Sequence, residues 1–398
     1  MKTQIVIQGG EIYTPFNIFS PGLIYINDGK ITGVERGTVI DNKINRGDIV
    51  DATGLKVIPG FIDSHVHGRD GFNFGDSVES TSQMLVNMAK TGVTGVLPTI
   101  GAKPKFEQIL ESIKNVIVVK EKSKIGARIL GIHMEGPSFS KDKVARGSQP
   151  VQFLIEPRLG DLYKFIEAAK GQIKKISIAP ELDGALEYIK EASKLGIIVS
   201  AGHSMASYEE AMLAVSYGLN CATHSFNGMM PFHHREPGLI GAILTCDEIN
   251  AEFIPDGQHI SPVAIRLLLR CKGLNNLHAV SDNTIYAGLP NGEYKDKEKD
   301  RVVIKEEFRA YVKGGTLAGS VCPLNYGLKI LVYEVGLALQ DALKLFCVNP
   351  AKLIGAYDYK GSIEPGKDAD ILIVDDNFNI HKAFINGELA YEKNRNYE

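Results

Sequence analysis

Side chains able to bind a metal ion or move a proton recur where short apolar runs of this sequence end. Asp63, His65 and His67 follow FID, Glu135 closes ARILGIHME, His203 and His224 close IIVSAGH and CATH, and Asp282 closes HAVSD. Imidazole and carboxylate are good ligands for Zn²⁺, Fe²⁺ and similar ions, which acidify a water molecule and polarise a carbonyl. Four histidines with Glu135 and Asp282 in one place would equip a divalent-metal hydrolase. Each residue alone has an ordinary reading. His65-x-His67 can be incidental, Glu135 salt-bridged, His203 and His224 satisfied at strand ends, and Asp282 a helix cap. Six of them at successive run ends make coincidence the weaker account.

Residues 61–345 must position them. Short apolar runs at 61–63, 95–99, 127–135, 175–181, 197–203, 221–224, 251–257 and 278–282 alternate with amphipathic stretches such as LGDLYKFIEAAKG and YEEAMLAVSYG. The latter opens on Ser207-x-x-Glu210, a capping box. Eight strands alternating with helices predict an α/β chain folded as a (β/α)8 TIM-like barrel, whose chemistry sits at the C-terminal strand ends. Residues 1–60 (QIVIQG, GLIYIND, KITGVE, DIVDAT) and 346–398 (ADILIVD, AFINGEL) read instead as short β-rich segments bounded by turn residues. Neither end buries much core alone, so both together predict one small β-sandwich domain flanking the barrel. Residues 291–313 read as an inserted hairpin whose charged tip, KDKEKDR, is solvated surface.

Composition removes other classes. The 398 residues are 44% hydrophobic and 23% charged, values of a soluble globular protein, and the net charge is −3. Without a basic excess, no nucleic-acid partner is expected. The longest stretch free of Asp, Glu, Lys and Arg, Ala211 to His234, is broken by polar residues and three histidines, so no membrane span is expected. MKTQIVIQGGE does not read as a signal peptide. Cys221, Cys246, Cys271, Cys322 and Cys347 lie at least 25 residues apart, which excludes a CxxC motif. Their odd number argues against a disulfide framework, and a cytoplasmic location is expected.

The run Asp51-Ala-Thr-Gly…Val57-Ile-Pro-Gly-Phe-Ile-Asp-Ser-His65-Val-His67-Gly resembles the opening signature of the amidohydrolase superfamily, and Gly361-Ser-Ile-Glu-Pro-Gly-Lys-Asp-Ala-Asp370 the matching closing one. More specific are His133-Met-Glu135-Gly-Pro137 and THSFNGMMPFHHREPG from Thr223 to Gly238. With Asp256-Gly-Gln-His259, Ser281-Asp282 and Leu317-Ala-Gly-Ser320, they are similar to the N-acetylglucosamine-6-phosphate deacetylase family, in family order from about residue 50 to 375.

The resemblance implies metal-dependent hydrolysis of the acetamide of N-acetylglucosamine 6-phosphate, giving glucosamine 6-phosphate and acetate in amino-sugar catabolism. It assigns Glu135, His203 and His224 as principal ligands of a divalent ion, Zn or Fe first, with Mn, Co or Ni as others. His65 and His67 match a pair that some members use for a second ion, so one or two ions per subunit are implied. Asp282 matches the general base. Asn227, Gly228, His259 and the backbone at Leu317, Ala318 and Gly319 match sugar-binding positions, with Ser148 and Gln149 also at the substrate. Arg235 matches a phosphate-binding arginine contributed to the neighbouring site, which implies a homodimer.

Two departures bear on substrate. The family loop after HxEGP carries a histidine in a KGxH-like stretch, whereas this chain reads Ala145-Arg-Gly-Ser-Gln149-Pro, and Gln149 can donate only a neutral hydrogen bond. After Asp282 the chain reads Asn-Thr-Ile-Tyr where smaller residues are usual. N-acetylgalactosamine 6-phosphate is the rival substrate. A cyclic-amide hydrolase is disfavoured because no carbamylated-lysine site is recognisable, and a non-catalytic assembly barrel because every ligand and Asp282 are retained.

Overall fold

The computed structural model describes residues 5–38 and 49–393. Eight strands form its centre: β1 (Phe61–Val66), β2 (Val93–Ile100), β3 (Ile132–Glu135), β4 (Ile173–Ile178), β5 (Ile198–Ala201), β6 (Leu219–Ala222), β7 (Asn250–Phe253) and β8 (Leu277–Ala279). Each pairs in parallel with the next. The ring closes through the residues after β8. The Asp282 N–H donates to the His65 carbonyl at 2.9 Å, and the His67 N–H to that of Asn283 at 2.9 Å. This is the (β/α)8 barrel expected from the alternation, and each of the eight apolar runs overlaps a strand.

Burial on both faces explains the near-continuous apolar strands: all eight residues of β2, VTGVLPTI, are buried. The helices between the strands pack their buried apolar residues into the same core. Helix Tyr208–Ser216 begins at the expected capping box. Ser207 Oγ accepts from the Glu210 N–H at 3.1 Å, and Glu210 Oε2 accepts from the Ser207 N–H at 2.8 Å. No helix of the described residues is long and apolar enough to cross a membrane.

Strands from both chain ends form two further sheets. Lys30–Arg36, Gly22–Asn27, Ile5–Gln8 and Ile49–Asp51 make a four-stranded one. In the six-stranded one, Lys56–Pro59 lies between Glu11–Tyr13, in parallel, and Ile371–Val374, antiparallel. Ile7 and Ile24 of the first sheet share an apolar core with Ile12, Val57, Ile371 and Phe384 of the second. Residues 346–353 pack on the barrel. The Phe346 ring lies 5.5 Å from that of Phe61, and Asn349 Nδ2 donates to the carbonyls of Leu274 at 2.6 Å and Leu277 at 2.7 Å.

The insertion differs from its expected form. It has three antiparallel strands, Gly292–Asp296, Arg301–Glu306 and Arg309–Val312, and its first turn is not wholly solvated. Lys295, Lys297 and Asp300 are exposed, but Arg301 is tied at 3.0 Å to Asp296 and donates from Nη1 to the Ser148 carbonyl at 2.7 Å. Those bonds press the turn against the barrel mouth.

Asn349→Ala should strip the buried Leu277 carbonyl and the half-buried Leu274 carbonyl of a donor and cost about 1–3 kcal/mol. A lower urea midpoint than the parent's is expected, and an equal midpoint would show that this helix is anchored by apolar packing alone.

Candidate metal centre

His203 (φ 50°), His224 (φ 32°) and Asp282 (φ 47°) follow β5, β6 and β8 in the left-handed region, unusual for residues with a Cβ. Such conformations cost on the order of 1–3 kcal/mol each and persist where the surroundings over-determine them, typically at functional sites. The same crowding requires glycine at Gly228 (φ 61°). A Cβ there would stand 2.9 Å from both His203 Nδ1 and the Ala145 carbonyl.

Five side chains able to ligate a metal ion converge. Glu135 Oε1 lies 3.3 Å from His203 Nε2 and 3.4 Å from His224 Nε2, and these two nitrogens are 3.1 Å apart. Beside them, His65 Nε2 and His67 Nε2 are 3.3 Å apart, and Glu135 Oε2 is 3.1 Å from His67. Asp282 Oδ1 lies 3.4 Å from each of these two imidazoles. Ligands at about 2.0–2.2 Å from one tetrahedral ion sit about 3.3–3.6 Å apart, so these spacings fit a cation. Both triads, Glu135 with His203 and His224, and Glu135 with His65 and His67, bring their ligand atoms within 4.8 Å of one another.

Hydrogen bonds behind the ligands aim them. His203 Nδ1 is 2.8 Å from the Ala145 carbonyl and His65 Nδ1 is 2.6 Å from Glu252 Oε1, so Nδ1 of each ring is engaged away from the centre and Nε2 faces it. Glu252 has no exposed surface. It also pairs with Lys175 of β4 and accepts from the His224 N–H at 3.0 Å. Burial would raise the Glu252 carboxyl, but the Lys175 and His65 charges hold it well below the usual carboxylate range. Burial likewise opposes ionisation of Glu135, yet the charge of His65 and hydrogen bonds from His203 and His224 keep it well below that range. Asp282 is lowered against its burial by His65 and His67.

A cavity of about 370 Å³ opens above these atoms. His67, Glu135, His203, His224 and Asp282 line its floor, while His65 lies fully buried behind them. Ser148, Gln149, Asn227 and Gly228 line it, as do His259, Leu317, Ala318 and Gly319. Gln149 Oε1 is buried without a hydrogen-bond partner, and Asp256 fixes His259 through Nδ1 at 2.6 Å. Thr284, Ile285 and Tyr286, the larger residues after Asp282, reach the same cavity. Arg235 does not line it. It is exposed, with Nη1 3.1 Å from His234 Nε2.

Sequence reasoning missed Lys175, Glu252 and the inward turn of the insertion. An acid inside the apolar run AEFIP was a signal for Glu252. Lys175, in the series Lys174-Lys175, offered none.

The amidohydrolase family model matches residues 56–390. The N-acetylglucosamine-6-phosphate deacetylase of Bacillus subtilis is 32% identical over 98% of this chain and 98% of its own. The crystal structure of the Pasteurella multocida enzyme of that name superposes with a TM-score of 0.89 at 30% identity, covering 97% of this chain and 99% of that one. A Mycobacterium smegmatis enzyme of the same name, in complex with N-acetyl-D-glucosamine-6-phosphate, gives 0.88 at 26% identity over 98% and 99%. With its paired ligand triads at the mouth of a parallel barrel, this chain belongs to the amidohydrolase family, in the group of the N-acetylglucosamine-6-phosphate deacetylases.

Proposed function

We propose that the protein hydrolyses the acetamide of N-acetylglucosamine 6-phosphate to glucosamine 6-phosphate and acetate. The observation that carries this reading is the convergence of Glu135, His203 and His224 beside Asp282 on the floor of one cavity. Glu135, His203 and His224 would hold a divalent ion, Zn or Fe fitting the mixed imidazole and carboxylate set, and His65 with His67 would serve a second. Such an ion, when bound, acidifies water and polarises a carbonyl. Asp282 takes a proton from the attacking water and returns it to the leaving amine, so one carboxylate serves both transfers and is regenerated. His259, held by Asp256, and the backbone at Gly228 and Leu317–Gly319 orient the sugar. Gln149, with a free buried oxygen, can donate its amide N–H to the reacting carbonyl while that oxygen meets a sugar hydroxyl.

Because Arg235 does not line its own cavity, its part in this reading belongs to a homodimer. From a second copy it supplies a forked, permanent charge to the phosphate, which lysine mimics poorly.

Acetate release should be found with N-acetylglucosamine 6-phosphate and be several-fold weaker with the 4-epimer, N-acetylgalactosamine 6-phosphate. Release from neither sugar would refute the reading, and the reverse order would reassign the substrate.

His203→Ala and Asp282→Asn should fail differently. The first should lose bound metal and turnover together, because it leaves an open site short of ligands. The second should keep its metal while kcat falls by about 100-fold or more. Elemental analysis alongside kinetics separates them, and a near-normal kcat in Asp282→Asn would remove that residue from the chemistry.

Mixing inactive Arg235→Ala subunits with inactive Asp282→Asn subunits should restore activity, since one site of each mixed dimer has both residues intact. Mixed dimers that form and stay inactive would confine Arg235 to its own subunit.

A further inference from the structure

The first turn of the insertion brings Asp296, Glu298, Lys299 and Arg301 to the cavity mouth. Three of these are already matched. Arg301 pairs with Asp296 at 3.0 Å and holds the Ser148 carbonyl. Glu298 pairs at 3.2 Å with Lys103, which also holds Asp76 at 3.1 Å. Lys299 differs. Its backbone N–H reaches Asp296 Oδ1 at 3.2 Å, but among the described residues its ammonium has no hydrogen-bond or ion-pair partner.

Lys299 is half-buried at the cavity mouth. Desolvation, and next the neighbouring Arg301 charge, push it down from the ordinary lysine range to about 8. The charges of Asp296, Glu298 and Glu135 act the other way, but none of these carboxylates is within ion-pair distance of its ammonium, so an anionic ligand that bonded it directly would remove a desolvation cost. Among the described residues lining the cavity, Lys103 and Arg301 are neutralised by carboxylates, so Lys299 is the lysine or arginine left to meet an anion. The turn cannot swing aside freely either, because Arg301 and Lys103 clasp it from two sides.

We propose that Lys299 is a specificity-determining residue that binds the substrate's phosphate from within its own chain, with Arg301 and Lys103 fixing the turn that carries it. This rests on the deacetylase reading above and adds a second, same-chain cation to the one that Arg235 would contribute. A phosphate monoester is dianionic near neutral pH, since its second pKa is about 6. Its arrival would restore the proton on Lys299 where the free protein had begun to lose it. Recognition of the phosphate should therefore weaken as pH rises through about 8.

The test is the ratio of kcat/KM for N-acetylglucosamine 6-phosphate to that for unphosphorylated N-acetylglucosamine, in the parent protein, Lys299→Met and Lys299→Arg. Loss of one charge-assisted hydrogen bond should lower this ratio about 10- to 100-fold in Lys299→Met. Lys299→Arg should recover most of it, and the decline near pH 8 should vanish in Lys299→Met. An unchanged ratio overturns the proposal, whether both sugars react as before or both lose activity equally. Should the parent protein turn over neither sugar, the deacetylase reading fails by itself, and calorimetry with inorganic phosphate then decides the anion site. Binding by the parent but not by Lys299→Met upholds the site, and equal binding or none by either removes it.

Discussion

Glu252 is held at the centre of the barrel with both carboxylate oxygens engaged and no surface in contact with solvent. Oε1 receives the His65 ring and the His224 backbone, while Oε2 meets Lys175 from across the barrel. Above it, imidazole nitrogens face one another and Glu135 at 3.1–3.4 Å. Such groups do not gather of their own accord. They are held there because Glu252 fixes one ring and one backbone, and because Lys175 keeps Glu252 charged where burial alone would neutralise it. Breaking a buried pair of this kind by removing one partner costs about 3–5 kcal/mol, since the other charge stays stranded.

A similar dependence extends outward from His203. Its ring is aimed by the Ala145 carbonyl in the loop after β3, and that loop is held three residues later by Arg301 of the insertion. The side chain proposed as a metal ligand after one strand is thus oriented by a loop from another, and steadied by a segment outside the barrel's repeat. The left-handed backbone at His203, His224 and Asp282 fits this picture, because an unfavourable conformation at each strand end is retained only while the parts around it are rigid.

The sequence made the barrel legible because its strands are buried on both faces and read as apolar runs, each ending in polar side chains. The convergence of the four histidines, Glu135 and Asp282 was legible for the same reason, since position at a strand end carries information that residue type alone does not. Lys175 was hidden by its neighbour Lys174, because nothing local distinguishes a lysine facing the barrel interior from one facing solvent. It meets Glu252, 77 residues away, only once both strands are in register. The turn at residues 297–300 was misread for a related reason. A charged run reads as uniformly wet, whereas the pairing of Gly292–Asp296 with Arg301–Glu306 and the bond from Arg301 to Ser148 bring the turn between them over the barrel mouth. Lys299 and Arg301 face the cavity while Lys297 and Asp300 face water.

The six-stranded sheet also has a bearing on how the chain is made. Lys56–Pro59 needs Ile371–Val374 on one side, yet more than three hundred residues separate the two strands. During synthesis the amino-terminal strands emerge first and find only one of their two neighbours, while the barrel between them is still being completed. Until Ile371–Val374 leaves the ribosome, Val57 and Ile58 lack the partner strand that covers their open edge. Unpaired edges of this sort are where nascent chains aggregate. The arrangement therefore makes the barrel's own folding the step that brings the two ends together, and leaves the early strands in need of protection until it has done so.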